Sequence, residues 1–301
     1  MNNLMKDIPR LNGSRITPIE KGYSTDKKYL VEYSDGRKEL LKLFDISELD
    51  AKKQEYSILE QMIGLDVKCS LPIDIGELES SPLGYMLLSY VDGQDALEVL
   101  PAYSESVQYM IGLEAGQQLR KIHQLEAPQE IPSWYERKIA KHRRYVDRYY
   151  QCGIRVIHDN KLLSFIDRHA DLMKDRPNLF QHDDFHVGNL IVKDEVLSGV
   201  IDFNRYDWGD PIHEFLKVGM FSSEVSVPFA NGQIAGYFNG EEPGEEFWVL
   251  YSLYMAMSVL SSVVWIQKVS PDELDFMLDR LNRVIQDHND FDSVRPKWFG
   301  N

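Results

Sequence analysis

Up to about residue 92 the apolar positions fall in short runs separated by turn residues, the pattern of strands. Residues 15–19, 29–33 and 40–44 read as the first three. Asp35-Gly36 between the second and third is a hairpin signal, because that pair suits a turn with positive φ. Residues 71–76 and 84–91 complete a sheet of about five strands. Between the third and fourth, Lys52, Glu55, Tyr56, Leu59, Met62 and Ile63 trace one stripe of a helix. Ser47-Glu48-Leu49-Asp50 has the form of a capping box opening it, and Gly64 that of its stop. Beyond Asp92-Gly93 the period becomes helical, over 104–123, a basic stretch at 134–150, and 162–173. Residues 247–267 carry no charge and are long enough to cross a bilayer. Their serines and tyrosines, with no basic flank to set an orientation, predict a buried helix instead. The pattern predicts an α+β chain with a strand-rich part, 1–92, and a mainly helical part, 93–301.

Two charges interrupt this pattern. Lys42 stands inside an apolar strand, where an ammonium is costly without a partner. Glu55 lies on the apolar stripe of the following helix, unlike Glu48 and Glu60. A Lys42–Glu55 ion pair answers both anomalies.

A third departure is the loop 182–189, rich in acids, amides and histidines, entered from an apolar stretch and followed by two short strands. A hairpin built from 190–192 and 199–201 would hold Asn189 and Asp202 on one support near Asp184. Two oxygen ligands and a separate carboxylate suit a hard cation such as Mg2+ and a base that orients a hydroxyl. A polar turn would explain any one of these residues, but not the set in this order and spacing. His182 and His186 without a thiolate make a poor zinc site.

Composition narrows the function. The 301 residues are 43% hydrophobic and carry a formal charge of -15, which excludes the basic footprint of a nucleic-acid binder. The same charge disfavours anionic membrane surfaces and favours a cationic small-molecule partner. Cys69 and Cys152 are the only cysteines, and no apolar signal segment opens the chain, so a cytoplasmic, reducing location is expected.

The series His182-x-Asp184-x4-Asn189 followed by Asp202 resembles the catalytic core of kinases, and its flanks, with Trp208-Gly209-Asp210-Pro211, resemble the bacterial aminoglycoside phosphotransferase family. The resemblance implies a two-lobed protein-kinase-like fold with a five-stranded N-terminal sheet plus one helix. It implies Asp184 as the catalytic aspartate with His182 supporting the loop, and Asn189 and Asp202 as Mg2+ ligands. Lys42, paired with Glu55, would meet the α- and β-phosphates of ATP or GTP. Gly22 and Ser24 would lie in the phosphate-covering turn, and Ser89, Tyr90 and Val91 at the purine edge. Two positions depart from the pattern: Asp183 stands where the family commonly has glycine, and Phe203-Asn204 follows the metal-binding acid.

The implied reaction is transfer of the γ-phosphate to a hydroxyl of a small molecule, an aminoglycoside first. Glu214 and Glu246 would then belong to an acidic pocket, or Trp208 to the more apolar pocket of a macrolide kinase. A metabolic kinase acting on choline, homoserine or a sugar is the alternative of the same fold. A non-catalytic nucleotide-binding module is the alternative outside it.

Overall fold

The computed structural model describes residues 6–20 and 26–300, so Gly22 and Ser24 lie outside the described residues. The chain falls into two compact units, Met1–Gly93 with Ser198–Asn204, and Gln94–Leu197 with Arg205–Asn301.

The first unit is built on β1 (Arg15–Ile19), β2 (Lys27–Glu32), β3 (Lys38–Asp45), helix α1 (Leu49–Gly64), β4 (Pro72–Glu77) and β5 (Leu83–Ser89). The strands form one antiparallel sheet in the order β1-β2-β3-β5-β4. The β2–β3 turn places Gly36 at φ 86, the left-handed geometry that the Asp-Gly pair predicts. Alternation on β3 divides its side chains between two buried faces. Leu41 and Leu43 join Ile8, Leu11, Ile16, Val31, Leu78 and Leu87 in one core. Lys42 points to the opposite face, where α1 supplies Glu55.

The opening of α1 differs from the expected capping box. Asp45, not Ser47, provides the cap: its carboxylate accepts from the Ser47 amide at 2.9 Å and closes a 3-10 turn, Ile46–Glu48, ahead of the helix. Acidic side chains cap as well as serine does, and the Ser47 hydroxyl is itself spent donating to the Asp45 carboxylate at 2.6 Å. A further turn of chain, 198–204, belongs to this unit because Val200 donates its amide to the Lys68 carbonyl at 2.8 Å and the Ser198 hydroxyl bonds the Asp92 carbonyl.

The second unit begins at β6 (Gln94–Asp95) and continues through α2 (Glu105–Ile122), α3 (Trp134–Gln151) and α4 (Asp159–His169). Ser104 and Ser133 cap α2 and α3 by accepting from Val107 and Glu136 amides. Strands β7 (Leu179–Gln181), β8 (Leu190–Lys193) and β10 (Asp207–Gly209) follow, with β10 antiparallel to β7 and β8 to β6, and β9 (Val196–Val200) carries the chain out of this unit at residue 198. Asp194 and Glu195 both take positive φ in the tight turn between β8 and β9. Helices α5 (Val227–Tyr237), α6 (Glu245–Val269) and α7 (Leu274–Asp287) complete the unit.

Helix α6 is the one helix among the described residues long and apolar enough to cross a membrane, and two-thirds of its most apolar window lies inside the protein. It serves as the core of the helical unit, as its mixed serines and tyrosines predict. Cys69 and Cys152 are free thiols.

Helices α2 and α5 cross through reciprocal glycines that the sequence pattern did not flag. A methyl at Gly112 would sit 2.2 Å from the Phe229 carbonyl, and one at Gly116 2.0 Å from that of Gln233. Gly232 and Gly236 of α5 face backbone of α2 equally closely. Backbone cannot yield as a flexible side chain does, so Gly116→Ala is expected to cost about 2–3 kcal/mol through overpacking. Urea denaturation measures it against Gly64→Ala, where nothing lies within 4 Å and stability is expected to hold or rise. Equal midpoints for the two variants would contradict the close crossing.

Candidate active site

In the first unit the buried charges form a chain. Lys42 Nζ donates to Glu55 Oε1 at 2.8 Å, and Lys52 Nζ lies 3.6 Å from Glu55 Oε2 and 2.5 Å from Asp26 Oδ2. Lys42, Lys52, Glu55 and Asp26 are all buried. Burial alone would lower the Lys42 pKa, but the Glu55 and Asp202 carboxylates reverse this and hold it above the ordinary lysine value. An ammonium kept charged inside an apolar strand is one prepared to meet anionic oxygens.

Asp202 stands just beyond β9 with φ 70, and its Oδ1 is buried without a hydrogen-bond partner among the described residues. A buried carboxylate oxygen is costly in that condition, and a cation is the kind of group that satisfies it. At the end of β5 the Ser89 amide is spent on the Leu71 carbonyl and the Tyr90 amide on that of Lys38. Of the three expected purine-edge residues, Val91 alone keeps an amide without a partner among the described residues.

In the second unit the loop after β7 is fixed at several points. The Phe185 ring is fully buried, with the buried His182 ring edge-on to it at 5.8 Å. Asp183 takes φ 60, the left-handed conformation that glycine adopts freely and aspartate tolerates. This is the position where the resemblance led us to expect glycine. The backbone thus keeps the glycine geometry while adding a carboxylate.

Glu214 is what holds this geometry. It is 1% exposed, and its two carboxylate oxygens accept from the amides of Asp183 at 3.1 Å and Phe185 at 3.2 Å. Burial would raise its pKa, but His123, His182 and the Asp183 amide overcome that and hold it below the ordinary value. Glu214 therefore faces the loop rather than an open pocket, unlike the acidic lining expected from sequence. It is carried on the 3-10 turn Pro211–Phe215, which Asp210 caps through the Ile212 amide. Asp210 is itself tied by Arg176 and by the Tyr254 hydroxyl at 2.8 Å.

Asp184 projects from the braced loop with its side chain 18% exposed. Lys217 Nζ donates to Oδ1 at 2.9 Å, and Arg205 lies 3.8 Å from Oδ2. His186 Nδ1 accepts from the Gly188 amide, which leaves the ring hydrogen on Nε2, 3.4 Å from Asp184 Oδ1. Burial pushes the Asp184 pKa up, but His186 and Lys217 pull harder and keep the carboxylate ionised well below the usual range. The Asn189 amide nitrogen donates to the Asp184 carbonyl at 2.9 Å and to Oδ2 at 3.2 Å. Those bonds commit its nitrogen and leave Asn189 Oδ1 as the free ligand atom.

The remaining expected residues are placed differently. Trp208, on β10, packs edge-on to Phe180 at 5.3 Å and its carbonyl accepts from Arg137. Glu246 is 72% exposed at the start of α6 and pairs with Arg176 at 3.0 Å. Lys217 was not foreseen, although a lysine in the apolar run Phe215-Leu216-Lys217-Val218 is the same anomaly as Lys42. It immediately precedes a π turn, Val218–Ser222, a distortion common at functional sites.

The sequence profile of the phosphotransferase enzyme family matches residues 15–248. No curated protein sequence matches the chain significantly. Among solved structures, a thermostable mutant of aminoglycoside phosphotransferase APH(4)-Ia in complex with ADP and hygromycin B has a TM-score of 0.69 at 16% identity, over 93% of this chain and 96% of that one. The GDP complex of aminoglycoside 2'-phosphotransferase-IIIa has a TM-score of 0.70 at 13% identity, over 95% and 97%. The gentamicin complex of APH(2")-IIa has one of 0.65 at 12%, over 92% and 94%. The chain belongs to the phosphotransferase enzyme family, as a small-molecule kinase with the fold of the aminoglycoside phosphotransferases.

Proposed function

We propose that the protein transfers the γ-phosphate of ATP or GTP to a hydroxyl of a small molecule, with Asp184 as the group that receives the hydroxyl. The observation that carries this is the Asp184 carboxylate itself, ionised, partly exposed and fixed on a loop braced by Glu214. A carboxylate with so little proton affinity cannot strip an alcohol at the start. It orients the hydroxyl by accepting its hydrogen bond and takes the proton late, as a loose phosphoryl-transfer transition state requires. The acceptor oxygen–phosphorus bond forms as the bond from γ-phosphorus to the bridging oxygen breaks, and the nucleoside diphosphate leaves.

Lys42, fixed by Glu55, is assigned to the α- and β-phosphates, and the free Val91 amide to the purine edge. His182 supports the loop from beneath through its packing on Phe185. The orphaned Asp202 Oδ1 of the first unit is an oxygen donor of the kind Mg2+ takes, and so, in the second unit, is Asn189 Oδ1, which has no partner among the described residues. When bound, the ion would neutralise charge developing on the phosphate oxygens. Nucleotide complexes among the structural relatives support a nucleotide donor.

Hygromycin B and gentamicin in those relatives keep an aminoglycoside acceptor open. A second reading, a metabolic kinase, is favoured by Lys138, a half-buried lysine beside the loop that has no carboxylate within 4 Å among the described residues. Trp208 and Glu246 stay as outer candidates for acceptor contact.

A coupled assay of nucleoside diphosphate release tests the reaction, with ATP and GTP, with Mg2+ or EDTA, over a panel of aminoglycosides, macrolides, choline, homoserine and sugars. Release that rises with an acceptor and collapses on chelation is expected. Nucleotide binding with no acceptor-dependent release would favour a non-catalytic module.

A further inference from the structure

For a chain of formal charge -15, the gathering of cations beside the catalytic loop is out of character. Lys138 of α3 is half-buried, its Nζ 2.6 Å from His213 Nε2 and over the rings of Trp134 and Tyr254 at 5.3 and 5.8 Å. Among the described residues no carboxylate lies within 4 Å of it. Lys141, one turn further on α3, and Lys217 both act on it repulsively. With burial as the larger cause, they bring its pKa down to about 7. His213 is kept neutral by burial and by the same three ammonium groups. Its Nδ1 is buried without a hydrogen-bond partner among the described residues, 3.9 Å from Asp183 Oδ1.

Two carboxylates act on Lys138 from beyond 4 Å, Asp183 and Asp207; Asp207 is paired with Arg137 at 2.9 Å, and burial pushes the Asp183 pKa up to about 6. Lys217 is committed to Asp184 and Asp207 to Arg137, which leaves Asp183 against the half-buried Lys138 and the exposed Lys141. Desolvated cations without full internal compensation are stabilised by an anion brought from outside. A pocket for a polycation would show the opposite, with carboxylates left unpaired.

We propose that Lys138, Lys141 and His213 form an anion subsite beside the catalytic loop, taking a carboxylate or phosphate carried by the phosphoryl acceptor. The inference rests on the kinase reading above and adds the class of substrate: a hydroxy acid or a phosphorylated alcohol, not a polyamine. The acceptor is the source of the anion because the subsite is built around Asp183, next in the chain to the residue that receives the hydroxyl.

Matched alcohols differing only in the anion test it: glycerol against glycerate and glycerol 3-phosphate, homoserinol against homoserine, with hygromycin B as the polycation. The members that carry a carboxylate or phosphate are expected to be phosphorylated with kcat/KM at least about tenfold above their partners that lack it. Lys138→Met should raise the acceptor KM about tenfold with the nucleotide KM unchanged, and Lys138→Arg should restore most of it. Preference for the neutral or polycationic acceptor would overturn the proposal. So would a Lys138→Met effect on nucleotide KM alone, which would assign the anion to the donor.

Thermal stabilisation by citrate and inorganic phosphate gives an acceptor-independent reading. The wild type is expected to be stabilised and the Lys138→Met, Lys141→Met double variant not. No shift, or equal shifts, would overturn the subsite. If anions bind in this way but no acceptor in either panel is phosphorylated, the kinase reading fails and the subsite stands.

Discussion

Asp184→Asn is expected to lower kcat about a thousandfold, within the range that a positioned proton acceptor contributes. Asparagine keeps the shape of the side chain and can still accept one hydrogen bond, so the loop should survive. It loses the charge that Lys217 and His186 now surround, and with it the final resting place of the alcohol proton. Nucleotide affinity, measured by calorimetry, should stay within about twofold, because the groups assigned to the nucleotide lie in the other compact unit. Turnover within tenfold of wild type would remove Asp184 from its role.

The pH profile carries a related expectation. The folded pKa of Asp184 is depressed, so its stabilised, ionised form persists above the unfolded value and is lost only as pH falls through the lower folded one. Asp184 should therefore contribute no acid limb to kcat above about pH 4.

Glu214→Ala is expected to have the second largest effect. It removes the acceptor for two backbone amides at once, and each buried donor left unsatisfied costs about 1–3 kcal/mol. Asp183 would then lose what holds it at positive φ, and Asp184 would be released from its fixed position. A fall in kcat of roughly a hundredfold follows from small misplacement alone. Glu214→Gln keeps one good acceptor oxygen and should fall between. Steady-state kinetics with each variant's melting temperature checks both effects. If Glu214→Ala instead raised only the acceptor KM, with kcat intact, the carboxylate would belong to a substrate pocket.

What could be read in the sequence was whatever lies close together along it. His182, Asp184, Asn189 and Asp202 occupy 21 positions, so their order and spacing survive in a linear reading. Lys42 and Glu55 are also near one another, and each violates the apolar pattern of its own element, which is why a pair was legible. The strands of the first sheet were readable because they are short apolar runs bounded by turn residues, and β3 is buried on both faces.

Glu214 was expected in an acidic pocket, whereas its carboxylate holds the loop. Nothing local shows that two amides 29 and 31 residues earlier need an acceptor. The basic run of α3 likewise gives no local sign of which lysine turns inward. Lys138 is turned inward only because His213, 75 residues later, meets it. The return of 198–204 to the first unit and the reciprocal glycines of α2 and α5 likewise depend on partners distant in sequence.

The most direct test is the chemical identity of the product. ATP and GTP labelled in the γ-phosphate would be incubated with Mg2+, the enzyme and the combined panel of cationic, neutral and anionic alcohols, and the label followed by mass spectrometry and phosphorus NMR. Label in a phosphate monoester of an acceptor, formed by the wild type and absent with Asp184→Asn, is the expected result. Label released only as inorganic phosphate, or an ester formed equally by both proteins, would contradict phosphoryl transfer directed by Asp184.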